Sequence, residues 1–140
     1  MNNKKQIERI DNIGTITRTT FEQIMDCTID RVSEILNNST NKLPKNVERC
    51  INCTCDHSSA IFTVTLNKYD DDRMFLSSRR RIRIIMFQDV PTENISISII
   101  NGEEHKQKLL FRLISLNPIY SIEKYLPEII KSMIDILDKT

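Results

Sequence analysis

The stretch VERCINCTCDHSSAIFTVTLNKY, Val47 to Tyr69, decides the fold. Val47, Ile51, Cys53, Cys55 and His57 share one parity, and Glu48, Cys50, Asn52, Thr54 and Asp56 the other, the two-residue period of a strand. After the turn residues Asp56 to Ser59, Ala60 to Tyr69 alternates again: Ala60, Phe62, Val64 and Leu66 face away from Ile61, Thr63 and Thr65. Two adjacent strands with a short polar turn predict an antiparallel hairpin, and a hairpin with one apolar face requires a layer to cover it.

That layer is predicted on both sides of the hairpin in sequence. Upstream, Thr19 or Thr20 offers an N-cap, with Glu22 or Gln23 three residues on to complete a capping box. Phe21, Ile24, Met25, Thr28, Val32, Ile35 and Leu36 then line one helical face, and the helix ends in the cluster Asn37 to Thr40. Downstream, Leu126, Ile129, Ile130, Met133, Ile134 and Leu137 form the inward stripe of a last helix starting near Ser121 or Pro127. Pro127 suits a first turn and would kink a helix begun earlier.

Between them, Met74 to Leu76 reads as a small bridge, Ile82 to Gln88 as a buried strand ended by Pro91, and Ile95 to Ile100 as a further strand. Asn101-Gly102 permits two continuations. One is a tight hairpin into a strand over Lys108 to Leu116. The other is a helix opened by Glu103 and Glu104 with Leu109, Leu110, Leu113 and Ile114 as its stripe. The helix is favoured, because a tight hairpin sets Ile95 and Ile97 opposite Lys108 and Lys106. The expectation is an α+β domain over residues 19–140: an N-terminal helix, a four-stranded antiparallel meander sheet, and one or two C-terminal helices on one face. Residues 1–18 form a polar arm in which Ile7, Ile10, Ile13 and Ile16 recur at a spacing of three, interrupted by Gly14.

With 140 residues, 39% apolar and 28% charged, the chain is long enough to bury a core without staples, and its net charge of +1 gives no overall pull toward nucleic acid or anionic membrane. No apolar run follows Lys4 and Lys5, and no segment is long enough to span a bilayer. An intracellular chain, cytoplasmic or nuclear, is expected, with unbridged cysteines. The Asn-X-Ser/Thr triplets at Asn37, Asn38, Asn52 and Asn94 then carry no glycan.

Cys50, Cys53, Cys55 and His57 pack four potential metal ligands into eight residues. A structural zinc site wants four tetrahedral ligands, usually two short pairs from separate segments. On a strand Cys50 and Cys53 point apart, and Cys53, Cys55 and His57 step about 6 to 7 Å each, too far for one ion without a bulge. Metal is not expected, and the cysteines are expected to pack as small hydrophobes. Asp70, Asp71 and Asp72 lack the alternating ligands and Gly of a calcium loop. Only Gly14 and Gly102 are glycine, which argues against a phosphate-cradling turn. His57 and His105 stand beside no nucleophile signature, and a Cys55–His57 pair would need an oxyanion site the sequence does not supply. No cofactor and no catalytic residue are expected.

The sharpest charge feature is Arg79-Arg80-Arg81-Ile82-Arg83. Arg79, Arg81 and Arg83 project from one strand face, a spacing suited to phosphates along a backbone, and Phe87 shares their parity. The competing expectation is that Asp70 to Asp72 neutralise them across the hairpin.

The order of one helix, a four-stranded meander and one or two helices resembles that of RWD-type interaction domains, and Asp89-Val90-Pro91-Thr92 stands where they carry a YPxxxP turn, which this chain lacks. Thr63 to Tyr69 is similar in placement to a strand of the small signal-recognition-particle Alu subunits, whose basic tail is missing here. Either resemblance implies a non-catalytic binding module. The functional expectation is a non-enzymatic protein-interaction or assembly subunit with a protein partner. The alternatives are an RNA- or ribonucleoprotein-binding domain using Arg79, Arg80, Arg81 and Arg83, and a small enzyme.

Overall fold

The computed structural model describes residues 18–89, 91–102 and 106–139. Apart from Arg18, the N-terminal arm lies outside the described residues, as do Glu103, Glu104 and His105. Helix α1 (Arg18–Ser39) leads into five strands, β1 (Val47–Cys55), β2 (Ser59–Tyr69), β3 (Leu76–Asp89), β4 (Asn94–Asn101) and β5 (Lys108–Ser115), followed by α2 (Ile119–Asp138). The strands form one antiparallel meander in sequence order. This is the α+β class read from the sequence, with a fifth strand in place of the favoured helix over 103–116.

The physical reason for the fifth strand lies in its register. A tight Asn101-Gly102 turn would have brought lysines onto the apolar face, but Asn101 pairs with Lys108 and the connection runs through residues 102–107. Ile99, Ile97 and Ile95 then face Phe111, Leu113 and Ser115, with Leu110 skipped at a bulge. Gly102 makes the loop feasible: its φ is +102°, and a Cβ there would sit 2.5 Å from the Lys106 carbonyl oxygen.

Pairing places the inner face of the sheet under both helices. Ala60, Phe62, Val64 and Leu66 of β2, Ile82, Ile84 and Met86 of β3, and Ile95, Ile97 and Ile99 of β4 are buried in one cluster with Phe21, Ile24, Val32 and Leu36 of α1 and Ile122, Leu126, Ile130 and Leu137 of α2. Every residue assigned to the α1 stripe is buried, Thr28 included, whose hydroxyl donates to the Ile24 carbonyl at 2.7 Å.

Three boundaries differ from expectation. Thr19 and Thr20 lie within α1 and do not precede it. β3 begins at Leu76, so the arginine run sits inside a 14-residue strand. Helix α2 starts after Pro118 and carries Pro127 in its interior, where the Glu123 carbonyl lacks its usual donor. Burial of Ile122 and Leu126 before the proline and Ile130, Met133 and Leu137 after it outweighs that loss.

Two inner-face cations close the helix ends. Arg49 of β1 reaches the end of α1, donating to the Thr40 hydroxyl at 2.5 Å and the Asn37 side-chain oxygen at 3.3 Å. Lys68 of β2 donates to the Leu137 and Asp138 carbonyls at the end of α2, at 3.4 and 3.2 Å. Each meets carbonyls or side-chain oxygens where the helix dipole is negative. The helices are also tied by Arg31, whose Nε lies 2.8 Å from Glu123 of α2 and whose Nη1 lies 2.9 Å from Glu34. Burial alone would depress the Arg31 pKa, but these two carboxylates raise it.

Truncating the centre of this core carries a defined cost. Ile130→Ala is expected to lower unfolding free energy by about 2–5 kcal/mol in a denaturant titration. Half-buried Ile134 should cost less when truncated, and equal losses at the two positions would contradict the packing described.

Candidate functional site

The outer face of the sheet is where the sequence features converge. Cross-strand pairing sets Glu48, Asn67 and Arg79 in one row, Cys50, Thr65 and Arg81 in the next, then Asn52, Thr63, Arg83, Ile100 and Leu109. A fourth row holds Thr54, Ile61, Ile85, Ser98 and Arg112, and a fifth holds Ser59, Phe87, Ser96 and Ile114. Both helices occupy the opposite, inner face. Large apolar side chains remain exposed on the outer one: Phe87 at 50%, Ile114 at 58% and Ile61 at 37% relative accessibility.

Along β3, therefore, the sequence Arg79, Arg81, Arg83, Ile85, Phe87 runs as a single line with a basic half and an apolar half. From Arg79 to Phe87 it covers about 26 Å at the strand rise. Arg79 donates from Nε to Asn67 Oδ1 at 2.7 Å, and Arg81 Nε lies 3.4 Å from the Thr65 hydroxyl, so both guanidinium groups are steadied by neighbouring β2. Exposed Arg112 of β5 adds a fourth cation.

Arg80 does not belong to this set. It pairs with Leu66 on the inner face and lines an open groove of about 350 Å³ with Ile82, Leu110, Glu128, Ile129 and Met133. Of the triple acid expected to neutralise the arginine run, Asp70 and Asp71 have other partners. Asp70 turns into its own loop, accepting from the Met74 and Phe75 amides at 2.9 and 3.4 Å, and Asp71 meets the Asn46 side chain at 3.4 Å. The Arg73 backbone, with φ of +57°, closes that loop, its amide donating to the Asp70 carbonyl at 2.9 Å.

The cysteine expectation is overturned. Cys50, Cys53 and Cys55 are exposed on β1, an edge strand in which every residue after Ile51 is exposed. Cys53 and Cys55 share the inner parity, and a slight burial followed by the neighbouring Cys55 thiol raises the Cys53 pKa. Cys50 lies on the outer face, where the Asn52 amide approaches its sulfur at 3.7 Å. Exposed His57 stands in the turn, next to Asp56, whose carboxylate accepts from the Ser58 and Ser59 amides at 2.9 Å each. Those amides and the Ser59 hydroxyl lower the Asp56 pKa. Among the described residues no three His, Cys, Asp or Glu side chains are grouped to hold a metal ion.

Arg112 and Ile114 escaped the sequence reading because their segment was assigned to a helix. The signal that marks them is the alternation Phe111, Leu113, Ser115 against Arg112, Ile114. Ile61, Ile85 and Phe87 were legible as outer-parity residues, but not that this parity stays exposed.

Cys27 tests the burial pattern from the other side. It is half-buried on α1, and burial, then Asp30 and Asp26, raise its pKa. Under native conditions near pH 8, a thiol-specific disulfide reagent is expected to modify Cys50 and Cys55 first and Cys27 last, read by mass spectrometry of the peptides; early labelling of Cys27 would contradict its placement. Compared with known proteins, the chain matches no family, and neither a curated protein nor a solved structure is similar to it.

Proposed function

We propose that this chain is a non-enzymatic protein-interaction or assembly subunit, and that the outer face of its sheet is the surface through which it docks. The observation that carries this reading is the exposure of Phe87, Ile114 and Ile61 together on one sheet face while both helices occupy the other. Exposed apolar side chains clustered on a flat face, rimmed by polar ones, mark interaction sites.

Two further features support a binding module over a catalyst. Among the described residues the groove beside Arg80 is lined chiefly by aliphatic groups, with Ser132 as the one hydroxyl and no histidine. Cys50, Cys53 and Cys55 carry free, exposed thiols, which supports the reading of a reducing, intracellular compartment. Among the described residues no helix is long and apolar enough to cross a membrane.

A second reading, an RNA- or ribonucleoprotein-contacting surface, has one specific observation in its favour. Arg79, Arg81, Arg83 and Arg112 stand on a single face. Phe87 is the exposed aromatic that shares it. The aliphatic neighbours Ile61, Ile85 and Ile114 have no counterpart in base stacking, which ranks this reading second.

Two measurements separate these readings. Tagged full-length chain purified from its cell of origin is expected to retain a stoichiometric protein partner after nuclease treatment, and to lose it on Phe87→Ser with Ile114→Ser; retention by that double variant would refute the docking face. For the second reading, Arg79, Arg81 and Arg83 are changed together to Gln. The wild-type chain is expected to bind RNA weakly near physiological ionic strength, with no loss on the triple change. Micromolar RNA binding abolished by it, with a salt dependence flattened by about three contacts' worth, would reverse the ranking.

A further inference from the structure

We infer that this chain pairs with a second copy of itself by a two-fold exchange, in which Met74 and Phe75, at the tip of the β2–β3 loop of each copy, fill the groove beside Arg80 of the other. The contact uses neither Phe87 nor Ile114 and does not rest on the docking reading above.

The first argument is a knob that the fold holds outward. Met74 is 74% and Phe75 69% exposed, and Leu76 beside them 44%. Their loop is closed by its own hydrogen bonds: the Asp70 amide donates to the Phe75 carbonyl and the Arg73 amide to the Asp70 carbonyl, both at 2.9 Å, while the Asp70 carboxylate accepts from the Met74 and Phe75 amides. A backbone fixed in advance lowers the entropy cost of burying the side chains it carries. An apolar anchor seated in a pocket is also where binding energy concentrates.

The second argument is that the same chain carries a hole of matching chemistry. Ile82 of β3, Leu110 of β5, and Ile129, Met133 and Ile136 of α2 give the groove of about 350 Å³ its aliphatic lining, and Arg80 and Glu128 are its charged residues among those described. Leu110 at 42% and Ile136 at 45% exposure show its mouth to be open. Arg80 stands one inner-face row from Lys68, which reaches the Leu137 carbonyl, so it marks the end of the groove nearest Ile136. Glu128 marks the other end, about 12 Å back along α2. The groove thus has a basic end, an acidic end and an aliphatic floor. The tip carries the complement: exposed Asp72 for Arg80 and exposed Arg73 for Glu128, next to the apolar pair.

The third argument is symmetry. Tip and groove belong to the same end of β3, Phe75 preceding Arg80 by about 17 Å at the strand rise. A two-fold axis between them lets each copy give its tip and receive the other's, so the contact forms twice and closes at two copies. Neither copy can bury Phe75 by itself, since the tip stands exposed while the groove beside Arg80 of the same chain is open.

The test is sedimentation velocity of the full-length chain across micromolar concentrations, where a monomer–dimer equilibrium is expected. Phe75→Ser, which removes the knob, and Ile136→Arg, which blocks the groove, should each weaken the dimer at least about tenfold. Both positions are exposed in the single chain, so circular dichroism and melting temperature are expected to stay native; Leu110→Arg on the opposite wall is the second blocking variant. Mixing the Phe75→Ser and Ile136→Arg chains should restore association, because the first keeps its groove and the second its tip, and one insertion forms. Asp72→Arg should weaken the dimer, and adding Arg80→Asp to the same chain should recover it. A wild-type chain that stays monomeric, growth beyond two copies, a dimer indifferent to Phe75→Ser, or a mixture no more associated than either variant alone would overturn the inference.

Discussion

The burial of one, and only one, face of the meander is the constraint on which the rest of this structure depends. Strands β2, β3 and β4 contribute Phe62, Val64, Leu66, Ile82, Ile84, Met86, Ile95, Ile97 and Ile99 to the inner face, all at or near zero accessibility. Each fully buried aliphatic or aromatic side chain is worth about 1.5–3 kcal/mol of transfer free energy before entropy is subtracted. Two helices suffice to cover that face, and the period-two alternation then commits the opposite parity to the outside. The arginine ladder is a consequence of the same alternation: Ile82, Ile84 and Met86 cannot be buried without presenting Arg81, Arg83, Ile85 and Phe87 on the other side.

Charge on the inner face is used where it is least costly. Arg49 and Lys68 sit on the two outermost inner-face rows of β1 and β2, and each finds the carbonyl end of a helix. An unpaired cation there would carry a desolvation cost, whereas these meet the negative end of a helix dipole. The arrangement also fixes where both helices end relative to the sheet. Arg31 and Glu123 add a tie between the helices at the solvent edge, where the pair is worth at most about 1 kcal/mol.

Edge position explains the cysteines. Cys53 and Cys55 have the parity of the core and pair with Phe62 and Ala60, which are buried, yet both are exposed. A residue on a central strand is covered by neighbours on both sides as well as by the helices; on β1 one side is open, and every residue after Ile51 is exposed. The sequence shows parity but not strand rank, so burial inferred from alternation alone fails there.

What the sequence determined by itself is local. The period-two runs of Ala60 to Leu66 and Ile95 to Ile99, and the stripes Phe21 to Leu36 and Leu126 to Leu137, each carry one unambiguous repeat, and those elements form as read because burying their apolar face admits only one conformation. KLLFRLIS, Lys108 to Ser115, carries apolar residues at both repeats. Its state was decided by the edge of β4, which supplies backbone partners and sets Phe111 and Leu113 against Ile99 and Ile97. The same holds for Pro127, tolerated because its flanking turns are anchored in the core, and for Arg80, separated from Arg79, Arg81 and Arg83 by the pleat. The outer face as a site was beyond the sequence, since its members come from β2, β3 and β5 and adjoin one another only through the register of pairing.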